Sequence, residues 1–447
     1  MSELKAVADR AAEILSETRI SGEVYVEESI IASVAVSSGK IESIEFKEER
    51  GAGVRVFDSE RIGFAYTSDL SPEGVRSAAR SAKGFAAHTE PESANVLPCP
   101  EPSALPDPDT GDLGLAGMET YRKVALARAM EEAARAVDPR VTKVRQARYM
   151  DVVGQVEIRN TGGQSRGASF GRIYGWIEVA AEQAGESQSG TASDFALKFA
   201  GLDPFRIGRE AARRAIGKLG GARAATRRAD VVLDPEVTGH LIEAFSPAFF
   251  ADNVLKAKSV LAGRLAQRVA SSEVSIVDDG RFPGGDRTFP FDAEGVPTRR
   301  TVLIEGGTLR GYLHNWYTST RMGVSPSGNA FRSSYMAPPR ITPTMLYLVP
   351  SAATREEILG RVEDGFLISE VMGLHTVDPI TGEFSLGASG HALRKGVIAE
   401  PVTGIGIAGS TLEFLAGVAA VASDLRLLTS GTSGSTTLIR NLAVSGT

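Results

Sequence analysis

The sequence predicts an α+β protein in two parts. Residues 1–220 form an N-terminal α+β region of helices and antiparallel meanders, and residues 221–447 form a β-rich C-terminal domain with covering helices. Over residues 23–66 and 141–182, apolar and polar residues alternate in runs separated by polar turns, which is typical of antiparallel strands with one buried face. After residue 228, short apolar runs follow one another between glycines and prolines, which indicates a domain built mainly of strands.

Three helices are predicted in the N-terminal region besides the one that opens it. Apolar residues at helical spacing over 5–18 indicate the opening helix. Ser71 and Pro72 predict the start of the next helix, with Ser71 as N-cap and Pro72 at the first helical position, where its missing N–H is not needed. Helical spacing returns over residues 119–136 and 204–219.

A proline-rich stretch, residues 89–115, shows little periodicity and predicts a surface loop. It would join two candidate subdomains, residues 1–88 and 115–220. The single cysteine, Cys99, lies in this loop, so an intramolecular disulfide is excluded and a reducing compartment is expected. The small, basic segment 220–228 predicts the main domain boundary, and the arginine-rich run that leads into it reads as the solvated face of a helix.

The same kinds of pattern predict a hairpin turn and the helices and strands of the C-terminal domain. The sequence Asn-Thr-Gly-Gly at 160–163 predicts a turn between two strands. In the C-terminal domain, strands are expected at residues 231–233, 274–277, 301–304, 345–349, 396–399 and 437–439, and helices at 236–245, 355–364 and 411–425.

Composition excludes several classes of protein. The chain has 447 residues, of which 42% are hydrophobic and 23% charged, so it can bury a large core like an ordinary soluble globular protein. A net charge of -6 argues against a nucleic-acid partner, which usually requires a basic surface. No stretch approaches the roughly 18 apolar residues of a membrane span. The charged N-terminus has no apolar signal core, and the cytoplasm is the expected location.

One segment carries the remains of a metal motif. Helical zinc motifs place two histidines on one helix face with a glutamate between them. Pro235 stands where the first histidine of a His-Glu-x-x-x-His arrangement would be, while Glu236 and His240 remain. A catalytic zinc needs three protein ligands, so we expect neither a metal nor a catalytic residue in this chain. The structural alternative is that His240 hydrogen-bonds locally and that Glu236 is an acidic residue favoured at a helix N-terminus.

Further segments, in the right order, resemble the TldD/PmbA family, whose members were historically called modulators of DNA gyrase. The resemblance covers nearly the whole chain, and its most specific piece is the Phe-Asp-x-Glu-Gly-Val-Pro-Thr run of residues 291–298. The other segments are Gly-Ala-Gly-Val-Arg-Val-Phe at 51–57, Gly-Phe-Ala-Tyr-Thr-Ser-Asp at 63–69, Thr-Gly-Glu-Phe-Ser-Leu-Gly at 381–387 and Asn-Leu-Ala-Val-Ser-Gly at 441–446. Without the zinc motif, the chain resembles the PmbA (TldE) branch rather than the zinc-bearing TldD branch.

This resemblance implies a subunit without catalytic residues of its own. The expected partner is a TldD-type paralogue in a heterodimer, or a second copy in a homodimer, and the expected substrates are unfolded or extended peptides. The zinc, its ligands and the general base would belong to the partner. This chain would supply chamber wall and peptide-docking edges, where an extended peptide can add as a strand.

Two rival functions remain open from the residues alone. The first is a metallopeptidase acting by itself, with a metal held by His240, Glu243 and a distant His or Asp. The second is a regulatory or binding protein without enzymatic activity. Candidate cleft or interface residues are Glu243, Phe249, Phe250, Asp292, Glu294 and His391. The structural alternatives are that the two phenylalanines belong to the core and that the two acidic residues of the 291–298 run brace a turn.

Overall fold

The N-terminal region is one antiparallel six-stranded sheet with helices on one face. The computed structural model describes residues 3–100 and 105–446, so residues 101–104 of the proline-rich stretch lie outside the described part. The strand order is β3-β2-β1-β4-β5-β6. The strands are β1 (Gly22–Ser37), β2 (Lys40–Asp58), β3 (Arg61–Thr67), β4 (Val141–Asn160), β5 (Ser165–Gln183) and β6 (Glu186–Ala196). The helices are α1 (Glu3–Glu17), α2 (Pro72–Ala86), α3 (Thr120–Arg135) and α4 (Pro204–Ile216).

Each half of this sheet comes from one helix–meander–helix block. The first strands of the two blocks, β1 and β4, pair at the centre of the sheet, with Glu23 opposite Asn160. Apolar side chains of α1 and α2 pack on β1 and β2, and those of α3 and α4 pack on β4 and β5. The opposite face of the sheet meets the C-terminal domain, where Tyr25 and Ile158 are buried with Phe291.

Local sequence signals set the ends of several of these elements as predicted. The Ser71 side chain accepts the N–H of Gly74 at 3.1 Å and Pro72 occupies the first turn of α2, so the predicted helix start is confirmed. The turn at 160–163 is also confirmed, because the N–H of Gly163 donates to the carbonyl of Asn160 at 3.2 Å. The described residues of the proline-rich stretch before Leu113 hold neither helix nor strand.

The C-terminal domain contains a second six-stranded sheet that closes on itself. Its order is β16-β15-β14-β7-β20-β17, with an additional pairing between β16 and β20. A smaller sheet has the order β10-β9-β8-β13. The strands are β7 (Arg227–Leu233), β8 (Ile276–Asp279), β9 (Arg300–Glu305), β10 (Thr308–Leu309), β11 (Ala330–Phe331), β12 (Arg340–Ile341), β13 (Leu346–Leu348), β14 (Asp364–Met372), β15 (Glu383–Arg394), β16 (Val397–Ser410), β17 (Val418–Val421), β18 (Arg426–Leu427), β19 (Ser433–Gly434) and β20 (Thr437–Ser445). The helices are α5 (Pro235–Phe245), α6 (Ala251–Leu255), α7 (Trp316–Met322), α8 (Arg355–Leu359) and α9 (Thr411–Gly417).

The α+β prediction is confirmed, and the differences concern element lengths. The helix expected over 411–425 ends at Gly417, after which Val418–Val421 pairs with β20 as strand β17. Apolar spacing alone cannot separate a short buried strand from a helix. The helix expected over 355–364 likewise ends at Leu359. In the N-terminal meander, runs that look like separate short strands belong to the single strand β1. No helix of the described residues is long and apolar enough to cross a membrane.

A buried ionic network joins the N-terminal sheet to the C-terminal domain. The Arg55 guanidinium donates to Glu294 Oε1 at 2.8 Å and to Glu23 Oε2 at 2.9 Å. Arg332 donates to the other oxygen of Glu23 at 2.6 Å, and the N–H of Trp316 donates to Glu294 Oε2 at 2.6 Å. Burial opposes the charge of Arg55, but the two carboxylates outweigh it and raise its pKa. Charges from both halves of the chain therefore satisfy one another away from water.

Two glycines allow the halves to approach closely beside this network. A Cβ on Gly51 would lie 2.2 Å from the Tyr335 ring, and one on Gly53 would lie 2.5 Å from the Tyr335 carbonyl oxygen. Such distances are far below a carbon contact, so a side chain at Gly53 would push the Tyr335 backbone off the sheet, and one at Gly51 would displace the Tyr335 ring. The Gly-Ala-Gly of the 51–57 segment therefore serves the contact between the two halves.

We expect the substitution Glu294→Ala to destabilise the fold by about 3–5 kcal/mol, since it leaves Arg55 and the Trp316 N–H partly unpaired in the interior. Urea unfolding followed by circular dichroism measures the change. Glu48→Ala, at an exposed position of β2, is the matched control and should stay within about 0.5 kcal/mol of the native chain. A Glu294→Ala variant as stable as the control would show that the network contributes little.

Candidate functional site

The degenerate metal motif lies where α5 follows β7. Pro235 and Glu236 form the first turn of α5, and Asp234 is its N-cap residue. Pro235 suits this position because its missing N–H would have no partner in the first turn. The motif therefore sits at a well-formed helix start that faces α4 of the N-terminal region.

Two arginines hold the Glu236 carboxylate. Arg214 on α4 donates through Nη1 to Glu236 Oε1 at 3.0 Å and through Nη2 to Oε2 at 2.5 Å. Arg426 on β18 lies 3.5 Å from the same carboxylate. Both arginines also contact Glu210, each with a nitrogen–oxygen distance of 2.5 Å. Two guanidinium groups and two carboxylates thus form a closed ionic ring, which we call the arginine ring.

The charges of this ring keep Glu236 ionised. Burial alone would raise the pKa of Glu236, but the hydrogen bond and charge of Arg214, with smaller contributions from Arg426 and His240, outweigh it and lower the pKa. An efficient general base has a pKa near the working pH. A carboxylate with a lowered pKa and both oxygens bound by Arg214 is a poor base.

The ring forms one wall of a cavity of about 330 Å³ between α4 and the C-terminal sheet. Pro235, Glu236 and His391 line this cavity together, so the structure brings His391 to the degenerate motif. Burial lowers the pKa of His391, although nearby Asp234 acts in the opposite direction. Two further ion pairs line the cavity, Lys218 with Glu370 and Arg355 with Asp234.

This site does not fit a zinc ion. Arg214 and Arg426 already neutralise the Glu236 carboxylate that a metal would have to approach, and a second cation beside them would be repelled. Pro235 has no ligand atom in its side chain. Within residues 3–100 and 105–446, no group of three or more His, Cys, Asp or Glu side chains is arranged to hold a metal.

The other candidates around α5 lie apart from this cavity. His240 and Glu243 are half-buried further along α5 and are not among the residues that line it. Phe249 is 1% exposed and belongs to the core of the C-terminal domain, and Phe250 packs against that core. Phe249 is therefore a core residue rather than an interface residue, and its side chain is not available to a partner.

Asp292 and Glu294 lie on the contact between the two halves. Asp292 accepts the backbone N–H groups of Glu294 and Val296 through Oδ1 at 2.9 and 3.0 Å, and that of Ala330 through Oδ2 at 3.0 Å. These bonds brace a turn in which Gly295 has a φ of 74°. Glu294 belongs to the buried network with Arg55. Residues 291–298, the most specific piece of the family resemblance, thus form a braced turn. The Glu294 carboxylate of this turn links the two halves of the chain.

Sequence reasoning missed the arginines of the ring. Arg214 lies in the arginine-rich run that was read as a solvated helix face. That interpretation fits the exposed Arg209 of the same helix but is wrong for Arg214, which is half-buried and lines the cavity. Helical spacing could have placed Arg214 next to Glu210, four residues earlier. Nothing in the sequence connects either residue with Arg426.

Family models match three consecutive segments of the chain. Residues 22–86 match domain 1, residues 114–219 the central domain and residues 226–446 the C-terminal domain of the PmbA/TldA metallopeptidases. The chain therefore belongs to the PmbA/TldD metalloprotease family.

Relatives of both branches resemble the chain to a similar degree. The metalloprotease PmbA homolog of Haemophilus influenzae is 27% identical, over 99% of this chain and 96% of the relative. The metalloprotease TldD homolog of the same organism is 28% identical, over 93% of this chain and 88% of the relative. Overall identity therefore does not assign the chain to one branch.

Solved structures share the fold over its whole length. A Thermotoga maritima protein described as a candidate modulator of DNA gyrase superimposes with a TM-score of 0.90 at 27% identity, covering 98% of this chain and 99% of that one. TldE from Thermococcus kodakarensis gives a TM-score of 0.87 at 20% identity, covering 99% of both chains. The second likeness speaks for the fold alone.

We expect the chain, purified without chelators, to contain well under one zinc ion per molecule. The reason is that the Pro235 side chain has no ligand atom and two guanidinium groups occupy the surroundings of Glu236. Elemental analysis by mass spectrometry measures the metal content, with a known zinc protein purified in parallel as control. Close to one zinc per chain would contradict the expectation.

We expect Arg214→Ala to reduce the free energy of unfolding at pH 7 by about 1.5–3 kcal/mol, the range for hydrogen bonds to charged groups. Glu236 has a lowered pKa in the fold, so its contribution is present above the ordinary glutamate pKa of 4.5 and is lost as the pH falls through the lower folded value. The difference between variant and native chain should therefore shrink in acid. Thermal melting from pH 7 to pH 3 tests this, with Arg209→Ala, exposed on the same helix, as control. A loss of stability on Arg214→Ala that is the same at pH 7 and pH 3 would contradict the assignment of the ion pair between Arg214 and Glu236.

Proposed function

We propose that the chain is the non-catalytic, PmbA/TldE-type subunit of a zinc metalloprotease complex that acts on unfolded or extended peptides in the cytoplasm. The arginine ring carries this proposal. The ring keeps the start of helix α5, which bears the degenerate motif, in shape. Ion pairs stand there in place of a metal. A TldD-type partner would supply a zinc-bound water and a general base for attack on the scissile carbonyl.

The preserved surroundings of the motif support a role in shape rather than chemistry. Glu236 is retained, but it joins α5 to α4 through Arg214 and joins both to β18 through Arg426. The ring therefore ties the N-terminal region to the C-terminal domain at the position where a catalytic relative would hold its metal. A subunit that forms the wall of a shared chamber needs this rigidity and no metal.

Strand β2 offers an edge on which an extended peptide can dock. Strand β3 pairs with β2 only from Ala52 to Asp58, and no strand of the described residues pairs with the outer edge of residues 40–51. Ile41, Ile44 and Phe46 on this edge are 43%, 41% and 62% exposed. Backbone groups of a free edge can bind an added strand, and the apolar side chains add affinity with little sequence preference. This combination suits substrates that share an unfolded state rather than a sequence.

We expect the chain alone to leave unfolded peptides intact and to raise the activity of a zinc-bearing TldD-type chain when the two are mixed. His240→Ala should change the activity of the pair little, because His240 does not line the site cavity and has no metal to bind. Peptide hydrolysis measured for each chain and for the mixture checks this, and light scattering reports whether the two chains associate.

The controls separate chemistry from assembly. Replacing a zinc ligand of the partner should abolish activity, whereas Glu243→Ala in this chain, one turn after His240 on α5, should behave like His240→Ala. A loss of about 10²-fold or more on His240→Ala, with folding and pairing intact, is the scale of a lost acid–base catalyst. That result would show that this chain takes part in the chemistry.

A further inference from the structure

A second cavity, of about 400 Å³, lies between the helix-free face of the N-terminal sheet and the C-terminal domain. Tyr25 and Glu27 of β1 line one side. Segments 286–293 and 328–333 of the C-terminal domain line much of the other side. Its volume falls in the range of roughly 300–1,000 Å³ that small-molecule and side-chain pockets occupy. The cavity is separate from the arginine ring and shares no lining residue with it.

Glu27 is a half-buried acidic group in this cavity that forms no ion pair. Its carboxylate accepts the backbone N–H of Tyr335 at 2.8 Å, and no lysine, arginine or histidine of the described residues forms an ion pair with it. Burial raises the pKa of Glu27 to about 7, against the effect of the Tyr335 N–H; the charge of Glu49 raises it further and the charge of Arg332 lowers it. The cavity therefore holds a carboxylate that a cationic ligand would stabilise.

The other charged groups of the cavity are already engaged. Asp286 accepts the Tyr174 hydroxyl at 2.8 Å. Arg172 donates to backbone carbonyls, among them those of Asp286 at 2.7 Å and Thr288 at 3.1 Å. Asp292 is taken up by the turn, and Arg332 by Glu23. Arg287 lies 5.3 Å from the centre of the Phe331 ring, stacked over its face. Glu27 is thus the carboxylate that remains for a ligand.

Asn329 adds an unpartnered acceptor. It is 2% exposed, and its Nδ2 donates to Asp278 Oδ2 at 2.6 Å and to the Thr342 carbonyl at 3.2 Å. These two acceptors fix the orientation of the amide, because Oδ1 could not donate to them. The Oδ1 atom is buried without a hydrogen-bond partner in the described structure. Buried acceptors are nearly always paired, so a ligand with an N–H group is expected here.

Aromatic rings form much of the remaining wall. Phe170, Phe289 and Phe291 pack edge to face, with ring centres 6.2 and 5.3 Å apart. Aromatic faces attract ammonium and guanidinium groups, and they also cover the apolar stem that carries such a group in lysine and arginine. Two acceptors and an aromatic wall together select a cation with N–H donors on an aliphatic stem.

We propose that this cavity binds the arginine or lysine side chain of a peptide, with Glu27 pairing its charge and Asn329 Oδ1 accepting one of its N–H groups. The choice of a peptide as the carrier rests on the proposed function. The site would give the complex a preference for a basic residue in an otherwise unstructured substrate.

The test uses the full chain alone at pH 8, where most of Glu27 is ionised, and titrates it calorimetrically with N-acetyl-arginine amide. The matched ligand is N-acetyl-citrulline amide, which has nearly the same shape and no charge. We expect the arginine ligand to bind at least about tenfold more tightly, the scale of one charged partner. Equal affinity for the two ligands, or no binding of either, would overturn the proposal without any variant being needed.

Two variants locate the binding. Glu27→Gln keeps an acceptor for the Tyr335 N–H and should remove the preference for arginine over citrulline. Glu49→Gln changes a neighbouring carboxylate that does not line the cavity and should keep the preference. Since Glu27 forms no ion pair and burial disfavours its charge, Glu27→Gln should melt no lower than the native chain at pH 8. A correctly folded Glu27→Gln variant that still prefers arginine would also overturn the proposal. The experiment involves neither peptide hydrolysis nor a partner chain. It therefore tests the binding site even if the proposed function is wrong.

Discussion

Arg55 lies between a carboxylate of its own sheet, Glu23, and a carboxylate of the C-terminal domain, Glu294, and the relation of the two halves depends on this contact. A buried guanidinium is tolerated only where carboxylates surround it, because the interior cannot solvate its charge. Each partner is therefore held in place by the others. The cavity lined by Glu27 lies beside this network, between the same two layers, and Arg332 of the network forms part of its wall.

Glycines near this network allow the two halves of the chain to approach each other closely. Gly51 and Gly53 bring the Tyr335 segment onto the sheet, and the same segment donates the N–H that meets Glu27. The turn braced by Asp292 then delivers Glu294 to Arg55. The most family-specific runs of the sequence thus form the contact between the two halves of the molecule.

The arginine ring repeats the same principle at the degenerate motif. A lone carboxylate at the partly buried position of Glu236 would be costly, and the structure offsets that cost with two guanidinium groups. The result is an ionic connection between α4, α5 and β18. Two ionic contacts, the Arg55 network and the arginine ring, therefore hold the N-terminal region and the C-terminal domain together at two separate places.

The sequence by itself determined the features that depend on neighbouring residues. Alternation gave the α+β class and the hairpins, and Ser71 with Pro72 gave a helix start. Only the tertiary structure decided the pairing of charges, because the partners are far apart along the chain. Arg55 and Glu294 are separated by 239 positions, and Arg426 and Glu210 by 216. Val418–Val421 is a strand for the same reason, since its partner β20 supplies the hydrogen bonds that local spacing cannot foresee. Short-range patterns set the secondary structure that each segment prefers, and long-range contacts decide which buried charges form pairs.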